Sequence, residues 1–495
     1  MPHAPMPRPT SPAPVLIWFR QDLRLADNPA LAAAGDRPVL PVFVRDEAAA
    51  GRWAPGGAAR WWLHHSLAAL AAALRAKGAG LHLARGRAED VLPALARAVG
   101  ADAVLANRLC APWAREQERR VATALAGQGV RLVLHELPLL HDPEALRAGS
   151  GRAYEAFTPF ARAVRPRLEH LAPPLPAPAR LRAADGAPAG EALESWRLTP
   201  RPPDWAAAFP ALWQPGEAGA EARLARFLSA GRLHGYAAAR DRPSEADGTS
   251  GLSPHLHWGE ISPRRVWHAV RAAAEEGDRA AAEPFLRELL WREFCHHLLW
   301  HRPELPERPL RAAFAGFPWA PDARLLRAWQ RGETGFPIVD AGMRQLWRHG
   351  WMHNRVRMIA ASVLVKHLLQ PWHDGAAWFW DTLVDADLAN NSANWQWVAG
   401  CGADAAPYFR IFNPVRQGER FDPEGRYVRR FVPELARLPD RFLHRPWEAP
   451  EAVRRAAGVV LGRDYPRPLV DPAAGRARAL AAFAAMRRRP EAAPA

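Results

Sequence analysis

The chain has 495 residues, 49% of them hydrophobic and 24% charged, a balance that excludes disorder and supplies core for roughly two to four domains without disulfides or metals. Its formal net charge of +15 rests almost wholly on arginine, Lys77 and Lys366 being the lysines, and favours a polyanionic partner such as nucleic acid. Cys110, Cys295 and Cys401 have neither C-x-x-C nor Cys/His spacing, which excludes a disulfide framework or zinc finger and fits a reducing compartment.

The amino terminus, MPHAPMPRPTSPAP, is proline-rich and offers no apolar stretch for a signal peptide. No run approaches the roughly 18 apolar residues of a spanning helix, so a cytoplasmic protein with no membrane partner is expected. Short β-rich runs at 15–19, 39–44, 81–84, 103–106 and 130–135 alternate with alanine-rich amphipathic stretches. That alternation predicts an α/β domain over 13–137, a doubly wound, Rossmann-like parallel sheet. After the first run, in RQDLRLADNPAL, Asp27 or Asn28 is placed to cap a helix opened by Pro29. The G-x-G-x-x-G of dinucleotide binding is missing there.

Residues 138–215 are rich in proline, with LAPPLPAPAR and LTPRPPDW as breaks, and read as a long connector with helical pieces. From 216 to 480 the pattern is helical throughout, which predicts an all-α second domain. The final MRRRPEAAPA reads as a frayed tail.

Within the helical part, MHNRVRMIAASVLVKHLL sets Asn354, Arg357 and Met358 on one helix face at i, i+3 and i+4. By the same spacing EPFLRELLWREFCHHLLW groups Glu288, Trp291 and Arg292. DTLVDADLANNSANWQWVAGCG gathers Asp385, Asp387, Asn390, Asn391, Trp395 and Trp397 in a segment that starts as a loop and turns helical. The D-x-D pair has no phosphate loop beside it, and His349 and His353 have no accompanying glutamate, so no metal is expected. ADGTSGLSPHLHWGEISP places Thr249, Ser250 and Ser253 ahead of a helix, where hydroxyls and free N–H groups serve either as a cap or as a phosphate seat. The 22 tryptophans exceed what a core needs.

WFRQDLRLADNPAL, DGTSGLSPHLHWGEISPR, ELLWREF, GFPIVDAGMRQL, GWMHNRVRM, DADLANNSANWQW and DAAPYFRIFNP, in this order, resemble the cryptochrome/photolyase family, most nearly the pattern of bacterial class I cyclobutane pyrimidine dimer photolyases. The resemblance implies an antenna-type α/β domain, a helical domain holding one FAD, and light-driven repair of ultraviolet-damaged DNA by a monomer. It implies flavin contacts at Tyr236, Thr249, Ser250, Gly251, Leu252 and Ser253. Around the isoalloxazine ring it implies Trp351, Asn354, Arg357, Asp385, Ala386, Asp387 and Asn391. Physics agrees with those roles: Arg357 oriented by Asp385 would stabilise the anionic reduced flavin, and neutral Asn391 would bond the ring without adding charge.

Trp395, Trp372 and Trp319 match the family's electron-transfer chain. Trp291 and Trp397 match the indoles that wedge around a flipped-out dimer, with Glu288, Arg292, Asn354 and Met358 about the pocket. Arg240, Arg355 and Arg410 match its phosphate contacts. Where folate-using members carry Asn-Glu, this chain has Trp113 and Ala114, which cannot make the same hydrogen bonds. The second chromophore is thus open between a deazaflavin, a second flavin or none. A cryptochrome-type photoreceptor is the main alternative function, expected to change the residue at Asn391 or add a regulatory tail. A (6-4) photolyase would show pocket histidines where Asn354 and Met358 stand. A DNA-binding protein without photochemistry would need none of the flavin set.

Overall fold

A computed structural model of the chain describes residues 12–229, 231–275, 279–405 and 409–488. Residues 1–11 of the proline-rich amino terminus and 489–495 of the expected tail lie outside the described residues. Met486 and Arg488 still belong to the helix Pro472–Arg488.

Five strands, β1 (Val15–Phe19), β2 (Pro38–Arg45), β3 (His82–Arg85), β4 (Ala103–Asn107) and β5 (Arg131–His135), form a parallel sheet in the order β3-β2-β1-β4-β5. The central strand β1 is buried along its whole length, and apolar side chains on both its faces are what a sheet sandwiched by helices requires. Val15 pairs with Val39 on one side and with Ala103 on the other, which fixes the register at the point where the chain order reverses. Asn28 caps Pro29–Ala32 by accepting from Leu31 N–H, as expected, but the helix is a single turn.

The proline-rich stretch is more structured than a bare connector. Its helix Phe157–Leu168 sends Phe157, Phe160 and Val164 into the same core as Phe285 and Phe294 of the long helix Arg279–His301. A two-residue strand, β6 (Arg182–Ala183), adds to β2, and Trp196 packs 6.0 Å from Phe43. The connector is therefore part of the wall on both sides.

The α/β and helical parts are locked by buried polar contacts. Arg24 donates to Gly259 O at 2.9 Å, Arg264 pairs with Asp27 at 2.7 Å, and Trp62 Nε1 donates to Glu260 at 2.9 Å. Gly259, at φ +65°, lies so close to the loop after β1 that a Cβ would meet Gln21 O at 2.1 Å. The helix Asn354–Ser362 does not run on as one α-helix through the apolar stretch behind it; Val363–His367 is a π-turn. There Lys366 is buried, which lowers its pKa well below the usual lysine range; its Nζ donates to Ala399 O at 2.6 Å and lies 3.0 Å from the centre of the Phe409 ring. A widened turn carrying a buried lysine is a local break that hydrophobic periodicity does not reveal.

Candidate functional site

Three segments distant in sequence meet at Asp385, in the loop between the helices Trp372–Thr382 and Leu388–Ala399. Its Oδ2 accepts from Arg357 Nη2 at 2.9 Å and from Ser253 Oγ at 2.6 Å. Oδ1 is buried with no partner. Leaving a buried carboxylate oxygen unpaired costs about 1–3 kcal/mol, so the arrangement suits a donor from a bound group. Arg357 is aimed by its place on Asn354–Ser362, by Nε donating to Met352 O at 2.7 Å, and by the Trp351 ring 5.8 Å away.

Next to Ser253, the turn 249–252 is pulled tight by Leu252 N–H donating to Ser250 Oγ at 3.3 Å. Gly251, at φ +64°, leaves a Cβ only 2.5 Å from Arg223 Nη1. Ser253, expected at a phosphate, spends its hydroxyl on Asp385. Tyr236 is buried edge-on between Phe227 and Phe285, and burial raises its hydroxyl pKa. Asn391 is buried, its Nδ2 donating to Ala376 O at 3.0 Å.

Asp387, two residues on from Asp385, has protein partners of its own. Its carboxylate caps Leu388–Ala399 by accepting from Asn390 N–H at 2.8 Å and lies 3.4 Å from His296 and 3.5 Å from His257. Burial alone would raise its pKa, but His296 and His257 hold it well below the usual carboxylate range. Ala386 and Asp387 line a cavity of about 130 Å³ between the α/β and helical parts; Trp53, Trp113 and Trp380 also border it. The tripeptide 385–387 is thus a partition, with Asp385 facing Arg357 and the next two residues facing the cavity. Arg292, one turn on from Glu288, lines that cavity and donates to Pro138 O at 3.3 Å. The connector loop takes up its guanidinium.

The rim is built from arginines paired with carboxylates. Arg240 Nη1 lies 2.6 Å from Glu288 Oε1, and Arg355 binds Asp241 through both carboxylate oxygens at 2.9 Å. Asn354 is exposed, with Nδ2 4.0 Å from Met358 Sδ, so the two share the face predicted for them. Trp291 is half-buried and stacked flat on Phe157 at 3.6 Å, which leaves one ring face for a ligand. Trp397 donates to Asp404 O at 3.2 Å and lies 5.7 Å from the Arg410 guanidinium.

Trp395 and Trp372 are buried in one hydrophobic cluster, and Trp319 packs on it half-buried beside Phe317 at 4.4 Å. Trp395 presses on Gly375, where a Cβ would meet its Cη2 at 2.1 Å. Sequence reasoning missed Trp329, which is fully buried and meets Trp395 edge-on at 6.1 Å. Nothing in its helix, ARLLRAWQR, distinguishes it from an ordinary core aromatic. Asp241 was missed too, although it follows Arg240 directly.

Comparison with known proteins adds the following. Residues 15–179 match the family model described as DNA photolyase, and 285–485 match the FAD binding domain of DNA photolyase. A deoxyribodipyrimidine photo-lyase of Agrobacterium fabrum is 50% identical over 478 residues, covering 96% of this chain and 98% of that protein. Cryptochrome-1 of Arabidopsis thaliana is 38% identical over 467 residues, 92% of this chain and 68% of that one. The crystal structure of a bacterial class III photolyase from Agrobacterium tumefaciens superposes with a TM-score of 0.93 at 49% identity, covering 96% of this chain and 98% of that one. The likeness therefore extends beyond the class I pattern to which the motifs were referred.

Proposed function

The chain belongs to the photolyase/cryptochrome family, and on that premise we propose that it repairs cyclobutane pyrimidine dimers in DNA under blue light, with FAD as its cofactor. The observation that carries the reading is the Asp385 junction, where Arg357 and Ser253 converge on a buried carboxylate with one oxygen still unpaired. Tyr236 and the turn 249–253 would hold the phosphate and ribose part, and Trp351, Asn354, Arg357, Asp385 and Asn391 the ring system. Bound and reduced, FAD supplies an electron to the dimer on absorbing light.

The chain's own groups do the rest. Arg357, aimed by Asp385, favours the anionic reduced ring. Glu288 accepts hydrogen bonds from the polar edge of a flipped-out dimer, above Asn354 and Met358. Trp291 and Trp397 stack on it, each at about 1–3 kcal/mol per base. Arg240, Arg355 and Arg410 take the flanking phosphates, and a damaged pair, already weakened, flips at lower cost than an intact one. Trp395, Trp372 and Trp319 relay electrons inward from the surface. The cavity bordered by Trp53, Trp113 and Trp380 would seat a planar second chromophore.

Incubated with ultraviolet-irradiated DNA, the purified protein should lower its dimer content in blue light and leave it unchanged in darkness. Bound FAD without such loss would favour the second reading, a photoreceptor, which the 38% identity to Cryptochrome-1 supports.

A further inference from the structure

Arg355, assigned above to a DNA phosphate, already holds an anion. Asp241 offers it both carboxylate oxygens at 2.9 Å from Nη2, with Nε 3.3 Å from Oδ1. This is the two-pronged geometry in which a guanidinium grips a phosphate. The guanidinium has few other places to go: it lies 4.4 Å from the centre of the Phe421 ring, and its Nη1 is 3.9 Å from Met358 Sδ at the floor of the lesion pocket. Of the two partners the carboxylate is the outer one, 38% exposed against 21% for the arginine.

Arg420, exposed, lies over the same Phe421 ring at 5.0 Å, so the pairing withdraws one cation among neighbours and does not empty the face of charge. His353 packs behind the pair and caps the helix by accepting from Arg355 N–H at 3.2 Å, and burial among arginines keeps it neutral near pH 7. Arg240, next in sequence, is held by Glu288 at 2.6 Å. Glu288 has a proposed task of its own at the lesion; Asp241 has none, and among the described residues it pairs with Arg355, the arginine proposed to take a phosphate.

The geometry points to Asp241 as an internal phosphate mimic, a carboxylate that occupies Arg355 in the free protein and must be displaced when a DNA phosphate docks. It withdraws one cation from the electrostatic footprint and so weakens binding to DNA, a repulsive element set against unproductive association. The inference rests on the repair reading, in which Arg355 is a phosphate contact.

Equilibrium binding of the holoprotein to dimer-containing and undamaged duplexes over a salt series tests it. Asp241→Asn and Asp241→Ser should each bind undamaged duplex about threefold tighter and steepen log affinity against log salt by about 0.9. Asp241→Glu should stay near wild type, and the gain should vanish in the Asp241→Asn, Arg355→Gln double variant. Unchanged or weaker binding by both neutral variants overturns the inference, as does a gain that persists without Arg355. Loss of flavin absorption from both neutral variants also overturns it, since Asp241 would then be structural. Wild-type protein that binds neither duplex would instead sink the repair reading.

Discussion

Arg357 and Asp385 stand 28 positions apart in the chain and 2.9 Å apart in space, with Ser253 bonded to the same carboxylate oxygen. This junction ties the turn 249–253, the helix Asn354–Ser362 and the loop before Leu388–Ala399 into one unit. Asp385→Asn removes the charge that orients Arg357. Charge-assisted hydrogen bonds contribute about 1.5–3 kcal/mol, so affinity for FAD should fall by roughly tenfold to a hundredfold. Flavin absorbance of the purified variant against its protein absorbance measures this, and full retention would show that the junction does not hold the cofactor.

Trp395 is buried and in contact with Phe379 at 5.0 Å and Trp329 at 6.1 Å. Trp395→Phe should slow photoreduction of the oxidised flavin and leave repair by chemically reduced protein intact. Flash photolysis and a repair assay on the same preparation separate the two. Equal loss of both would mean that the indole shapes the site instead of feeding it electrons.

Gly375 makes the close approach of Trp372–Thr382 to Leu388–Ala399 possible. In Gly375→Ala a methyl would have to fit 2.1 Å from Trp395 Cη2 and 2.7 Å from Leu364 Cδ2. Overpacking of this kind costs about 1–3 kcal/mol, to be read as a lower urea midpoint. A midpoint equal to wild type would mean that the two helices separate without cost.

Burial pushes His349 and His353 down to about 4 and His297 down to about 3, with nearby arginines or histidines adding to the effect. Each is neutral in the fold and takes a proton more readily when unfolded, so its contribution is whole above pH 6.5 and is lost as pH falls from there toward 4. Each group should cost about 1.4 kcal/mol per pH unit in that window. Urea midpoints that fall between pH 7 and pH 5 but hold between pH 7 and pH 8 would match. A flat profile from 7 to 5 would mean these rings are more hydrated than their packing indicates.

The strands were legible because β1, β2 and β4 are apolar along nearly their whole length, a pattern that only a doubly covered sheet satisfies. The helix face carrying Asn354 and Met358 was legible for a similar reason: spacing of three and four fixes which residues are neighbours. What spacing does not fix is what lies opposite. Arg292 has the right interval from Glu288, yet the connector at Pro138 draws it into the cavity between the two parts. Asp387 sits two residues from Asp385, but capping Leu388–Ala399 turns its carboxylate the other way. The Asp241–Arg355 pair spans 114 positions, and only the folded chain brings it together.

The central claim is that a photoexcited reduced flavin, held at the Asp385 junction, gives an electron to a dimer drawn out of DNA. The most direct measurement is single-turnover repair of an oligonucleotide carrying one thymine dimer by chemically reduced holoprotein, under blue light and in darkness. The account predicts return of the intact thymines in light alone, with none from oxidised protein in a single flash. Repair in darkness, or none in light from protein that retains its reduced FAD and binds the oligonucleotide, would contradict it.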